Sequence, residues 1–297
     1  MSASTVRARG RWSAGASLVA LVLPVALVGL APAGAVRASA VDPGAGDSVS
    51  SGRVVTAWGS NEFAQSRVPA GLRGVTAIAA GNEHSLALRA DGTVAAWGDN
   101  RWGQTRVPAG LRGVTAIAAG GAHSLALRRD GTVVSWDGLI GTDEVPAGLR
   151  GVTAVAAGRS HSLALRADGT VAAWGSNEYG KTRVPAGLTG VTAVAAGENH
   201  SLALRADGTV AAWGYSRSGQ TRVPAGLTGV TAIAAGTWHS LALRSDGTVV
   251  AWGYDYFGQA RVPAGLRGVT AIAAGPTTAW PCAGTAPWSV GATTEPG

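Results

Sequence analysis

From residue 53 onward, hydrophobic and polar positions alternate in short bursts. VTAIAA at 75–80 alternates small and branched residues, SLALR at 85–89 alternates leucine with small or polar ones, and TVAAW at 93–97 starts β-branched and ends aromatic. A fourth burst, TRVPA at 105–109, is shorter. Alternation over so few residues predicts β-strands rather than helices. The second and third bursts are separated by Asp-Gly at 91–92, and again at 130–131, 168–169, 207–208 and 246–247. Such a pair suits a two-residue hairpin in which both residues take positive φ. Proline has no N–H to give to a ladder, so the fourth strand is predicted at a sheet edge.

The four bursts recur together. His84, His123, His161, His200 and His239 are spaced by 39, 38, 39 and 39 residues, and Trp58, Trp97, Trp136, Trp174, Trp213 and Trp252 keep step. The short interval falls in the loop DGLIGTDE (137–144), where Glu144 replaces the usual Arg before Val-Pro. Four antiparallel strands repeated at this period predict an all-β fold, a β-propeller of four-stranded blades over residues 53–275. Six repeats are visible. Residues 53–72 are expected to supply strands three and four of a blade whose first two strands come from the C-terminal end.

A WD-type repeat places Gly-His far upstream of Trp-Asp, whereas here His precedes Trp by 13 residues and Gly follows Trp in five of six copies. The pattern AAGxxHSLALRxDGTVxAWGxNxxGQ instead resembles the regulator of chromosome condensation repeat family over residues 53–275. The short unit, its terminal Val-Pro and the opening VVTAWGSN are especially similar to the secreted bacterial β-lactamase inhibitory proteins of type II. That resemblance implies a ring that is usually seven-bladed, no catalysis, and loops that present aromatic and acidic residues to the rim of an enzyme's active site.

The N-terminal region reads differently. Arg7, Arg9 and Arg11 precede an apolar stretch from Leu18 to Leu30 that Pro24 interrupts, and Ala38-Ser39-Ala40 offers a cleavage point. The run is too short to span a bilayer, so residues 1–40 are predicted to be a secretory signal, residues 41–52 a flexible leader, and the mature protein extracellular. The arginines are not adjacent, which disfavours twin-arginine export. The net charge of +7 changes meaning once residues 1–40 are set aside, because 20 basic and 17 acidic residues remain. With one lysine and no basic run, nucleic acid is excluded as a partner, and no membrane partner is expected after signal removal. One cysteine excludes disulfides and Cys-based metal sites. One imidazole per blade cannot converge on a metal, so the histidines read as structural. No cofactor is implied.

Residues 276–297 abandon the repeat. Regrouping the codons of Thr278–Trp288 (TAWPCAGTAPW) one base earlier allows HSLALRRDGTV at all eleven positions, 39 residues after His239. The tail thus reads as a frameshifted further repeat. As translated, Pro281, Cys282 and Pro287 are expected to make a poor second strand, leaving ring closure in doubt and an open or six-bladed ring conceivable.

Because strand direction alternates, the AAGxx turns and the WGxNxxG loops share one face. The opposite face carries Arg73, Arg89, Arg112, Arg166 and Arg205 beside the turn aspartates, read as solvated pairs. Copies differ most on the first face, whose loops hold Phe63, Trp102, Tyr179, Tyr215, Trp238, Tyr254, Tyr256 and Phe257 with the acids Glu62, Glu83, Asp99, Glu178, Glu198 and Asp255. Varied surface aromatics bury large area at low entropic cost, which suits protein recognition. The competing reading is that the rings pack between neighbouring loops. Three functions follow: a protein-binding propeller, with a secreted or periplasmic β-lactamase or penicillin-binding protein as partner; a cell-wall or carbohydrate-binding module; and guanine-nucleotide exchange on a small GTPase, which the secretion signal argues against.

Overall fold

The HSLALR hexapeptide is the most completely buried part of each repeat, since its strand has a neighbour on either edge and a packed blade on either face. Leu86, Leu125, Leu163, Leu202 and Leu241 are all fully buried. The computed structural model describes residues 55–136 and 144–275, together with the backbone of 279–283. Five three-stranded antiparallel sheets follow one another along the chain. They are β1 (Val75–Ala80), β2 (His84–Arg89) and β3 (Val94–Gly98); then β4 (Val114–Ala119), β5 (Ser124–Arg128) and β6 (Val133–Trp136); then β7 (Val152–Ala157), β8 (His161–Arg166) and β9 (Val171–Gly175). The next two are β10 (Val191–Ala196), β11 (His200–Arg205) and β12 (Val210–Gly214), followed by β13 (Val230–Ala235), β14 (His239–Arg244) and β15 (Val249–Gly253). A sixth sheet pairs β16 (Val269–Ala274) with β17 (Ala279–Ala283). The fold is the all-β propeller that the repeat predicts.

Small residues decide which strand lies innermost. The VTAIAA strands contact one another in succession from β1 to β16 and line a channel of about 200 Å³, walled by residues such as Ala79, Ala119, Ala157, Ala196 and Ala235. Only alanine-rich strands can approach an axis so closely. Among the described residues, β16 and β1 make no comparable contact across the ring. Larger side chains fill the wedge between blades: Leu86, Leu88 and Val94 pack against Val114, Ile117 and Trp136 of the next blade. Leu125 and Leu127 meet Val152, Val155 and Trp174 in the same way. Each such leucine stabilises the array by roughly 1.5–3 kcal/mol.

The fourth burst forms no regular strand. After Gly103 a turn closes with Arg106 N–H donating to the Gly103 carbonyl (2.8 Å), Val107 N–H then bonds the Thr105 carbonyl (3.0 Å), and Pro108 has no N–H to offer. The segment still completes a blade, and it is the blade that follows it. Gln65 O accepts from Ser85 Oγ (3.0 Å) and Trp97 Nε1 (2.9 Å), and Gln104 O accepts from Ser124 Oγ (2.8 Å) and Trp136 Nε1 (3.0 Å). The expectation for residues 53–72 is therefore half corrected. Val68 and Leu72 belong to the first complete blade, packing on Val75 and Trp97. Val55 packs there too, in the place Val94 takes one repeat later, as the third strand of a preceding blade would.

Two further expectations give way. The Asp-Gly turn is a three-residue loop: Arg89 N–H bonds Thr93 O (2.9 Å), Gly92 N–H bonds Arg89 O (2.9 Å), and only Gly92 has positive φ, at 75°. Asp91 stays in the ordinary region because its Oδ1 accepts from Thr93 N–H (2.9 Å) and Thr93 Oγ1 (2.6 Å). The C-terminal segment, despite Pro281, forms β17, with Ala274↔Ala279 and Ala273↔Trp280 matching Ala235↔Ser240 and Ala234↔Leu241 of the fifth blade. Proline fits because successive residues of a strand turn their N–H groups to opposite edges. His239 bonds toward β13 (Gly236 N–H to its carbonyl, 2.9 Å) and Arg244 toward β15 (its N–H to Thr248 O, 2.9 Å), which turns Ala242, the counterpart of Pro281, toward β15. No third strand pairs with β17 among the described residues, so the missing N–H breaks no ladder bond. Residues 1–54, Asp137–Asp143 and Pro287 lie outside the described residues, and with them the signal, the leader and the loop irregularity.

Candidate functional site

Among the described residues, four inner turns are tied by their backbone to the loop that follows the third strand. Asp99 N–H donates to Glu83 O (2.8 Å), Ser176 N–H to Ser160 O (2.8 Å), Tyr215 N–H to Asn199 O (2.9 Å) and Tyr254 N–H to Trp238 O (2.9 Å). This puts all the varied positions on one face. The loops share an internal frame. The Asn at the third position after Trp accepts an N–H five residues on, Asn100 Oδ1 from Thr105 (3.2 Å) and Asn177 Oδ1 from Thr182 (3.2 Å). The loop-closing Gln accepts the N–H two residues back: Gln65 from Phe63 (2.9 Å), Gln104 from Trp102 (3.0 Å), Gln220 from Ser218 (3.1 Å) and Gln259 from Phe257 (2.9 Å).

The aromatic residues gather into two connected groups. Tyr179 meets Tyr215 edge-on with centroids 4.7 Å apart, and Tyr215 meets Trp238 at 5.5 Å, so three rings bridge three successive blades. Tyr254, Tyr256 and Phe257 form the second group, with Tyr256–Phe257 at 5.0 Å and both others at 6.3 Å. The Trp238–Tyr254 backbone bond joins the groups. Tyr179 is 53% and Tyr256 78% exposed, whereas Tyr215, Trp238, Tyr254 and Phe257 are half-buried beneath and between them. Packing between loops and presentation to solvent are thus both at work. Phe63 stands apart under the Arg101 guanidinium, 4.3 Å from its centroid, and Trp102 is 47% exposed beside it.

The acids are less available than their positions suggest. Asp99 is buried, bonded to Arg101 Nε (3.0 Å) and Gln104 Nε2 (3.0 Å), and these partners outweigh burial to hold its carboxyl below the usual range. Glu83 pairs with Arg101 Nη2 (2.7 Å), and Glu198 with Arg159. Asp255 takes the place of the loop Asn, accepting from Ala260 N–H (3.0 Å) and pairing with Arg261 (2.9 Å). All four carboxylates brace the loops.

Sequence reasoning missed Lys181. It stands where four other blades have Gln, and its fully buried side chain crosses to Ser160 Oγ (2.9 Å) and Asn199 Oδ1 (3.0 Å). Burial pushes its ammonium pKa down. The signal was present in the sequence as the one lysine of the chain at a repeat-conserved glutamine position.

Beneath the face, the histidines fasten blade to blade. His84 Nε2 meets Ser124 Oγ, His123 meets Ser162, His161 meets Ser201 and His200 meets Ser240, each at 3.0 Å. Ser201 Oγ already donates its proton to the Lys181 carbonyl (2.9 Å), so His161 Nε2 must be the donor, and the same holds for His84 and His200. Burial pushes the pKa of His84 and His123 down to about 4 and of His161 and His200 to about 3. On the opposite face the turn aspartates bond their own threonines, and that bond is the main cause of their lowered pKa. Arg244–Asp246, at 3.9 Å, is the one arginine–aspartate pair there among the described residues. Among those residues, no group of three His, Cys, Asp or Glu side chains is placed to hold a metal, and no helix is long and apolar enough to cross a membrane.

The regulator of chromosome condensation (RCC1) repeat matches residues 75–104, 114–136, 152–181, 191–220 and 230–259, each match running from an inner strand toward the loop-closing position. The blades are RCC1 repeats. Solved RCC1-like propellers share the fold. The CRINKLY WD40 ectodomain of the Arabidopsis thaliana receptor kinase ACR4 superposes with a TM-score of 0.62 at 21% identity, over 77% of this chain and 83% of that one. Prp20p of Saccharomyces cerevisiae, described for its binding to Gsp1p and histones, gives 0.59 at 22% over 70% and 69%. Human WBSCR16 gives 0.57 at 22% over 70% and 71%. Among curated protein sequences none matches significantly. At these identities the structural likenesses speak for the fold alone, so what an RCC1-repeat protein of this kind binds has to be argued from its own loops.

Proposed function

We propose that this RCC1-repeat protein is a secreted, non-enzymatic propeller that binds a protein partner through its aromatic loop face. The observation that carries the reading is the run from Tyr179 through Tyr215, Trp238 and Tyr254 to Tyr256 and Phe257, in which half-buried rings support exposed ones over three blades. Preordered aromatics of this sort supply area without the entropic cost of fixing flexible side chains. Glu83, Asp99, Glu198 and Asp255 are engaged by arginines of the face itself, so shape and ring contacts are left to carry more of the recognition than these acids. The similarity of the repeat unit to the secreted β-lactamase inhibitory proteins supports a β-lactamase or penicillin-binding protein as the partner.

Inhibition of a panel of class A β-lactamases by the purified chain beginning at Val41 tests this reading. Nanomolar inhibition, lost when Trp238, Tyr256 and Phe257 are replaced together by alanine in a protein whose circular dichroism is unchanged, is the expected result. A folded protein that inhibits none of the panel removes the inhibitor reading. Retention on insoluble cell-wall material would then move the aromatic face to carbohydrate binding.

A further inference from the structure

The loop that carries Tyr179 differs from its counterparts in one backbone angle. Tyr179 has φ 63° and ψ 13°, while Phe63, Trp102, Ser218 and Phe257 at the same place stay out of the positive-φ region. The turn itself is conserved, since Gly180 N–H bonds Asn177 O at 3.0 Å just as Gly103 N–H bonds Asn100 O at 3.2 Å. A turn that keeps its closing bond and changes φ only at its third residue has flipped its central peptide, here the one joining Glu178 and Tyr179. For a tyrosine this conformation is strained, so something must hold it.

The four loops without the flip end in Gln, whose Oε1 accepts the N–H of the residue two positions back. Lys181 has no acceptor. Its ammonium also disfavours an N–H pointing at it, and its donors are engaged by Ser160 Oγ and Asn199 Oδ1 of two neighbouring loops. The flipped peptide turns the Tyr179 N–H away, and Tyr179 lies across Tyr215.

We infer that Lys181 is the positioning residue of the binding face: by withholding the glutamine cap and locking the Ser160 and Asn199 loops, it flips the preceding turn and lays Tyr179 onto Tyr215, which in turn packs on Trp238. The inference rests on the proposed function for its biological meaning, because the triad it builds is half of the proposed binding surface. It extends that reading by making a residue buried beneath the face the determinant of which rings are presented.

Lys181→Gln restores the sequence of the other loops and is compatible with folding for that reason. The variant is expected to return residue 179 to negative φ, give its amide a hydrogen bond and slow its exchange by about ten-fold. The near-UV circular dichroism of the Tyr179–Tyr215–Trp238 contact is expected to disappear. Lys181→Arg, which keeps the donors and still lacks an acceptor, is expected to preserve the wild-type spectrum. A structure of Lys181→Gln in which Tyr179 keeps positive φ and still packs on Tyr215 overturns the inference, since the rings would then hold the turn by themselves. These measurements need no partner. A wild-type protein that inhibits no β-lactamase counts against the proposed function alone, and an unflipped Lys181→Gln loop decides the role of Lys181 whatever the protein binds.

Discussion

In the inner ring, His84, His123, His161 and His200 repeat one bond to the serine of the next blade, whereas in the loops beyond the third strands no two blades present the same side chains. Both regions belong to the same repeat and lie only a few residues apart. The difference follows from what each must fit. An inner-ring residue meets the next copy of its own strand one blade on, as each histidine meets the serine of the following His-Ser pair, so a change in one blade misfits against the next. A loop residue need only leave the turn closed, which Asn and Gln accomplish from fixed positions, and the tips are left to vary.

Acid should break the inner ring before anything else. The buried histidines titrate near 6.5 when unfolded and only at about 3 to 4 when folded. Between those values the unfolded chain binds more protons, so stability is full above pH 6.5 and falls as the pH drops toward 4. Each histidine loses up to about 1.4 kcal/mol per pH unit in that window, and the four together up to about 5 kcal/mol per unit, comparable with the whole stability of many domains. Denaturant midpoints measured at pH 7, 6 and 5 should fall steeply. A flat profile would mean that the imidazoles are not buried as described.

Gly158→Ala attacks the same ring at a single point. A methyl there would overlap the His161 ring and the Gly197 carbonyl, neither of which has room to move. The expected cost is about 3 kcal/mol, read as a lower chemical-denaturation midpoint. Ser201→Ala is milder, because the Lys181 carbonyl keeps its bond from Trp213 Nε1 (2.9 Å) and only His161 Nε2–H is left without an acceptor. About 2 kcal/mol is expected. If Ser201→Ala proves as costly as Gly158→Ala, the staple carries more than one hydrogen bond's worth of stability.

The same comparison explains what the sequence could reveal. Inner-ring positions recur, and recurrence made the strands and the structural histidines readable from spacing alone, although spacing did not show that Trp58, in step with the buried tryptophans, is half-exposed. The outer segment was read as ending a blade when it begins the next, because a linear repeat has no marked origin and only contacts such as the Trp97–Gln65 and Trp136–Gln104 bonds show where the cut falls. Asp99 looked like a presented acid, yet Arg101 and Gln104, two and five residues on, draw it inward. The aromatic groups were legible as a list of residues and not as contacts, since the Tyr179–Tyr215 meeting depends on a peptide flip that composition does not encode. The frameshift reading of the tail stands on the codon agreement of Thr278–Trp288 alone. Resequencing the locus tests that reading directly, and it fails if the shifted frame does not run on into further AWG and VPAGL units.

On the loop face the effects on stability should shrink, and Tyr179→Gly is where the two regions separate most cleanly. Removing the side chain relieves the positive φ, a gain of about 1 kcal/mol. It also removes the edge-on contact with Tyr215, a loss of about 0.5–1.5 kcal/mol. The two nearly cancel, so the denaturation midpoint should barely move while the near-UV signal of the ring group falls and any partner affinity falls with it. A midpoint that dropped as far as that of Ser201→Ala would place Tyr179 among the residues that hold the propeller together. A midpoint that rose would show that the turn stores strain the rings do not repay, and that the flipped loop is kept for the surface it presents.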